Sequence, residues 1–244
     1  MIIDIHTHLG PTCPWHKKAE FNVTKKMFDN FLDLNEITKA VTFPNPQSGN
    51  VNYNKANKII SKAAKKDSRI IGFGRVDPRE PNNALKELKK FKTLGLVGLK
   101  LHPVLECFNP DNDAFFSIYS FCEEKDLPII FHCDTKNIFA NPKLIESALK
   151  EFKKLKVILG HLAGQEAIDV VKQNKNFYLA TSDAESEKMV EHAILELNAK
   201  RILFGSDFPY RDFSTELNRI CTLNISKKAK ENILYSNAKN FLQI

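Results

Sequence analysis

The sequence predicts a single (β/α)8 barrel, and three observations lead there. Eight short apolar runs alternate with helix-patterned segments along 244 residues, the rhythm of βαβ units around a parallel sheet. Polar residues able to carry chemistry gather at the ends of those runs, where a barrel places its functional rim. No Gly-x-Gly-x-x-Gly follows the first run, which leaves an open doubly wound sheet as the runner-up. With no Pro/Gly/Ser-rich linker, one domain over 1–244 is expected.

The first strand covers 2–8 and runs into Gly10-Pro11. The stretch 10–22, with Pro14 and Trp15, reads as a loop. A helix is expected over 24–34, with Thr24 as its N-cap. Strand two (38–43) stops at Pro44; the polar stretch to Asn52 turns, and a helix follows from Tyr53 to Lys66. Strand three covers 69–76, Asp77-Pro78 opens a turn, and a helix spans 82–94. Strand four (96–102) is halted by Pro103, and a helix runs from Asp111 to Lys125. Strands five (127–132), six (156–161) and seven (176–181) are followed by helices over 142–153, 165–173 and 185–197. Strand eight (201–206) precedes helical segments at 213–223 and 227–234 and a last turn to Leu242.

Hydrophobic residues make up 43% and charged residues 27%, as in a soluble protein with a sizeable core. The net charge of +7 comes from scattered Lys-Lys pairs rather than a basic block, so these read as solvated faces and not a nucleic-acid surface. Five cysteines without CxxC or zinc-ribbon spacing argue against a disulfide framework. No apolar run approaches the roughly 20 residues of a membrane span, and no signal-type start is visible. A cytoplasmic protein with a small-molecule partner is expected, with neither nucleic acid nor membrane, and homo-oligomerisation left open.

Five of the seven histidines fall on one expected rim. His6 and His8 sit at i and i+2 on strand one, so both imidazoles face the same way and can share a metal ion. Lys100 and His102 end strand four, His132 ends strand five, His161 strand six, and strand eight runs into Asp207. Alternation puts Gly98, Lys100 and His102 on one face, with Leu99 and Leu101 toward the helices; Ile130 and His132 face inward together. Gly205 leaves room beside the metal. His102 is read as lining the pocket. Lys100 is a contact for a substrate carboxylate, a carbamylated bridging ligand or a buried stem, the first being preferred. Asp4 is placed on the face of His6 and His8, one pleat deeper, where it would orient a histidine or bond Lys100. His16 lies in the first loop, His192 on a surface helix, and Cys133 faces away from the metal.

With these pieces assembled, the chain resembles the amidohydrolase superfamily, in its amidohydrolase-2 branch of metal-dependent barrel hydrolases. The resemblance rests on Asp4-Ile5-His6-Thr7-His8, Gly98-Leu99-Lys100-Leu101-His102-Pro103, Pro128-Ile129-Ile130-Phe131-His132 and Ile158-Leu159-Gly160-His161. Leu203-Phe204-Gly205-Ser206-Asp207-Phe208-Pro209 and the closing Ile233-Leu234-Tyr235-Ser236-Asn237-Ala238 complete it. It implies His6, His8, His132 and Asp207 as ligands of a divalent metal, most often zinc with manganese an alternative, and His161 as a further ligand or acid/base. One ion is expected; carbamylation of Lys100, as in phosphotriesterase-like members, would admit a second. TatD-like deoxyribonucleases carry a glutamate at this position, which the chain lacks.

The implied chemistry is hydrolysis of an amide, ester or lactone by metal-activated water. Asp207 would move the water's proton, His161 would stabilise the oxyanion, and Lys100 or Arg75 would hold an anionic substrate. The loops 10–22 and 44–54 would cover the rim. The same resemblance implies an alternative, decarboxylation or hydration of an aromatic or unsaturated acid, and a weaker one, a metal-binding barrel without turnover.

Overall fold

The computed structural model describes residues 1–11, 22–46 and 53–244. His16 and most of both expected rim loops lie outside the described residues.

The eight barrel strands are β1 (Ile3–His8), β2 (Lys39–Phe43), β3 (Ile70–Gly72), β4 (Leu99–Leu101), β5 (Ile129–Phe131), β6 (Val157–Leu159), β7 (Phe177–Ala180) and β8 (Ile202–Leu203). All neighbouring pairs are parallel, in two runs ordered β1-β2-β3 and β8-β7-β6-β5-β4. Backbone bonds join the runs at both seams. Ile5 N–H donates to Phe204 O (2.9 Å), Asp207 N–H to His6 O (2.8 Å) and His8 N–H to Phe208 O (2.8 Å). On the far side Gly74 N–H donates to Gly98 O (2.9 Å) and Lys100 N–H to Gly74 O (2.8 Å). The sheet thus closes on itself, as the alternating apolar runs require.

Side-chain alternation sorts the core into two layers. Ile3, Ile5, Val41, Phe43, Phe73, Ile130, Ile158, Ala180 and Leu203 fill the barrel, joined by Ala238 and Phe241. Leu99, Leu101, Phe131, Leu159 and Leu179 instead pack under the helices, as does Cys133. Each such aliphatic side chain contributes about 1.5–3 kcal/mol when fully buried, so the parity of every strand is strongly fixed.

The outer helices are α1 (Lys25–Leu34), α2 (Tyr53–Lys66), α3 (Pro81–Leu88), α4 (Phe116–Glu124), α5 (Pro142–Ala148), α6 (Gly164–Gln173), α7 (Glu187–Leu197) and α8 (Phe213–Cys221). Thr24 caps α1 as expected, accepting from Met27 N–H. Asn141, Ser186 and Asp212 cap α5, α7 and α8 in the same way.

Several boundaries differ from the sequence expectation. The helix expected over 82–94 breaks after α3 and resumes as Phe91–Leu94, which stops at Gly95 in the left-handed conformation. The one expected from Asp111 starts with a 3-10 turn, Asp113–Phe115, before α4. The segment after α8 runs Lys227–Glu231, a π turn over Asn232–Ser236, then Asn237–Leu242. Among the described residues no helix is long and apolar enough to cross a membrane.

Strand β1 carries a correction. Its register against β2 slips between Asp4 and Thr7, one extra residue on β1, which is a β-bulge. Ile3 and Ile5 face the barrel interior, and beyond the bulge His6 and His8 do so too. Asp4 therefore does not share the face of the histidines. It is fully buried, and its Oδ1 accepts from His6 N–H (3.1 Å) and Ser206 N–H (3.0 Å). The carboxylate so holds the backbone of the bulge and of the β8 end.

Candidate metal and active site

The C-terminal rim opens on a cavity of about 430 Å³ lined by His6, His8, Lys100, His102, His132, His161 and Asp207, with Pro46, Leu105, Asp183, Pro209, Tyr210 and Arg211. Every sequence-expected site residue except Arg75 lines it. Its core is the trio His6, His161 and Asp207, whose ligand atoms lie within 4.8 Å of one another. Asp207 Oδ1 is 3.3 Å from His6 Nε2 and 3.2 Å from His8 Nε2. Two donors about 2.1 Å from a common tetrahedral ion stand roughly 3.4 Å apart, so the spacing suits one. His132 stacks on His102 (ring centroids 3.8 Å, 13°) and meets His161 edge-on at 4.8 Å. It stands beside the trio rather than within it.

Hydrogen bonds behind the imidazoles set which nitrogen faces the cavity. His6 Nδ1 lies 2.6 Å from Gly160 O. A carbonyl only accepts, so Nδ1 carries the proton and Nε2 presents its lone pair. Ser182 Oγ donates to the same carbonyl (2.8 Å), leaving its oxygen to accept from His161 Nδ1 at 3.3 Å. Both rings are thereby held in the form that ligates a cation. Gly205 is required beside them: a Cβ there would come 2.9 Å from His6 Cβ.

Burial governs the charges. It pulls His6, His102 and His132 well below the usual imidazole range, with the Lys100 charge adding at His6 and neighbouring imidazoles at the other two. His161 falls to about 4. Asp207 is pushed up by burial against the pull of His161 and Lys100. Lys100, 1% exposed, is drawn well below its usual value by burial and then by the Arg75 charge. Its Nζ sits 3.5 Å from His6 Nε2 and 5.0 Å over the Phe43 ring, on the cavity floor.

Arg75 is placed elsewhere. It is fully buried, donating to Glu106 Oε1 (2.8 Å) and Pro44 O (2.6 Å), and does not line the cavity. The same Glu106 accepts from Tyr53 Oη (2.6 Å), and its Oε2 accepts from His102 N–H (2.7 Å). Sequence reading missed Glu106, although a lone acid within Val104-Leu105-Glu106-Cys107-Phe108 was a visible signal. It also missed Ser182 and Asp183, a polar cluster at the end of β7 like those at the other strand ends. His192, on α7, bonds Gln165 at the surface.

A closed parallel barrel with converging imidazoles and a carboxylate at its C-terminal rim defines a (β/α)8 enzyme. The chain belongs to the amidohydrolase family, whose model matches residues 3–244. It is 24% identical over 247 residues to the gamma-resorcylate decarboxylase of Polaromonas sp. (strain JS666 / ATCC BAA-500), covering 76% of this chain and 74% of the relative. A 2,6-dihydroxybenzoate decarboxylase complexed with 2,6-dihydroxybenzoate superposes with a TM-score of 0.80 at 16% identity, over 100% of this chain and 99% of that one. A dihydroxybenzoic acid decarboxylase from Polaromonas sp. JS666, with bound manganese and the inhibitor 2-nitroresorcinol, gives 0.74 at 17%, over 99% and 96%.

Proposed function

We propose that this protein is a metal-dependent decarboxylase of a small aromatic carboxylic acid, which favours the alternative sequence reading over hydrolysis. One observation carries it: the donor cluster of His6, His8, His161 and Asp207 opens into a 430 Å³ cavity walled by Leu105, Tyr210 and two prolines. That space suits a single ring with polar substituents. The decarboxylase relative, matched over three quarters of both chains, supports the same chemistry; hydrolysis has support only at the level of the superfamily.

His6, His8, His161 and Asp207 would hold a divalent ion, with His132 adjacent. When bound, such an ion supplies Lewis-acid charge that holds and polarises substrate oxygens. A single ion is proposed, and manganese stands beside zinc as the one to test first. Lys100, on the cavity floor, lies beneath the bound ring. Asp207 carries the proton to the ring carbon that bears the carboxylate. The bond from that carbon to the carboxylate then breaks, its electron pair restores the ring, and carbon dioxide leaves. Solvent entering through the cavity mouth returns a proton to Asp207, while His161 stays among the residues that would hold the ion.

The test is carbon dioxide release from 2,6-dihydroxybenzoate and a panel of hydroxybenzoates by protein loaded with manganese or zinc. Asp207→Asn should lower kcat by about 10²–10⁴-fold, the usual scale of a lost acid–base group. Turnover of lactones, esters or amides without carbon dioxide from any acid would sink the proposal in favour of hydrolysis.

A further inference from the structure

Among the described residues lining the cavity, the lysine and arginine side chains are Lys100 and Arg211, and they sit at opposite depths. Lys100 is buried on the floor, whereas the Arg211 side chain is 50% exposed at the mouth. Arg211 Nη2 lies 2.7 Å from Asp183 Oδ1, on a side chain that is 41% exposed. Both residues also line a second cavity of about 700 Å³ that shares His132 and His161 with the first. The ion pair therefore stands on the ridge between two chambers.

Each partner is tied to the donor cluster through the backbone. Arg211 follows the turn closed by Tyr210 N–H and Asp207 O (2.8 Å). Asp183 follows Ser182, which holds His161, and its left-handed backbone (φ 54°) breaks the strand direction there. An ion pair this exposed contributes little to stability and is readily exchanged. A guanidinium matches a carboxylate with a planar fork of donors, and it keeps its charge at every working pH.

We propose that Arg211 is the residue that selects anionic substrates, exchanging the Asp183 carboxylate for that of the incoming acid. This deepens the aromatic-acid reading above and rests on it. In the free protein Asp183 holds the guanidinium over the mouth, so less side-chain freedom is lost on binding. The role assigned by sequence to Arg75, which Glu106 engages behind the wall, passes to Arg211.

Calorimetric titration of the metal-loaded protein tests this with two probes, 2,6-dihydroxybenzoate and resorcinol, the same ring without its carboxylate. Arg211→Gln should weaken the benzoate by about 10- to 100-fold, the range for a hydrogen bond to a charged group, and leave resorcinol unchanged. Arg211→Lys should recover only part of that loss, since an ammonium lacks the fork. Asp183→Asn should tighten the benzoate several-fold by removing its competitor. A purely structural role would shift both probes alike, so equal losses for the two overturn the proposal. Unchanged benzoate binding in Arg211→Gln, or no preference of the wild type for the benzoate, also overturns it. Selective binding without carbon dioxide release would refute the decarboxylase reading and leave the role of Arg211 standing.

Discussion

Replacing Glu106 by Gln probes the ionic knot behind His102. Glu106 and Arg75 are 1% and 0% exposed at their side chains. The two carboxylate oxygens together accept from Arg75, Tyr53 and the His102 N–H. An amide keeps one acceptor and sets a donor against a donor at the other, while the Arg75 charge stays buried without its counter-charge. Breaking one side of such a pair costs about 3–5 kcal/mol, a large share of the roughly 5–15 kcal/mol that holds a domain together. At about 2–4 °C per kcal/mol for a chain of this size, Tm should fall by roughly 6–20 °C. Thermal unfolding followed by circular dichroism reads this, with Lys228→Gln as control. That lysine meets Glu231 with both side chains exposed, and surface changes of this kind stay within about 0.5 kcal/mol. A Tm for Glu106→Gln within about 2 °C of wild type would show that Arg75 is compensated by other groups, and the reasoning would fail.

Gly160→Ala should cost about 1–3 kcal/mol, as overpacking does, because its Cβ would meet Phe131 O at 2.6 Å and Lys100 Nζ at 3.0 Å. Unfolding midpoints and metal affinity should both drop, and a variant matching wild type in both would refute the contact. Asp4 is pushed up to about 7 by burial, so the folded chain binds its proton more tightly than the unfolded chain between the ordinary carboxylate value and 7. Stability contributed there falls as pH rises through that window. Asp4→Asn should therefore gain on wild type, by on the order of 1 kcal/mol at pH 8, with a smaller gain at pH 5; a gain in urea midpoint that ignores pH would contradict this. Chelation should lower Tm, and manganese at about 100 times its Kd should restore about 2.7 kcal/mol. Identical melting with and without chelator would remove the metal from the account.

Strand number, order and inward parity were legible because each apolar run is short and punctuated. Period two alone placed Ile130 inside and Leu99 and Leu101 under the helices, where they are found. The bulge in β1 was not legible: one extra residue switches parity without any glycine or proline to mark it, and so Asp4 was set on the wrong face. The rim histidines survived that error because both lie past the switch. Arg75 shows a different limit. Its position beside a strand end suited a substrate contact, but charge pairing across the chain decides where a guanidinium goes, and Glu106 lies 31 positions away. Helix breaks near Lys89 and Phe115 depend on packing against neighbours, which an apolar period cannot encode.

The seam between β1 and β8 also dictates when the pocket comes into being. His8 and Asp207 are 199 positions apart, and the first strand finds its second neighbour only through Phe204 and Phe208. Ala238 and Phe241 then cork the bottom of the cylinder. During synthesis the opening imidazoles must therefore wait, half-paired, while nearly all the remaining chain is made. Under the proposed function, cation loading would be a late event in the life of this molecule, and a stalled ribosome would carry His6 and His8 with their partner Asp207 not yet made.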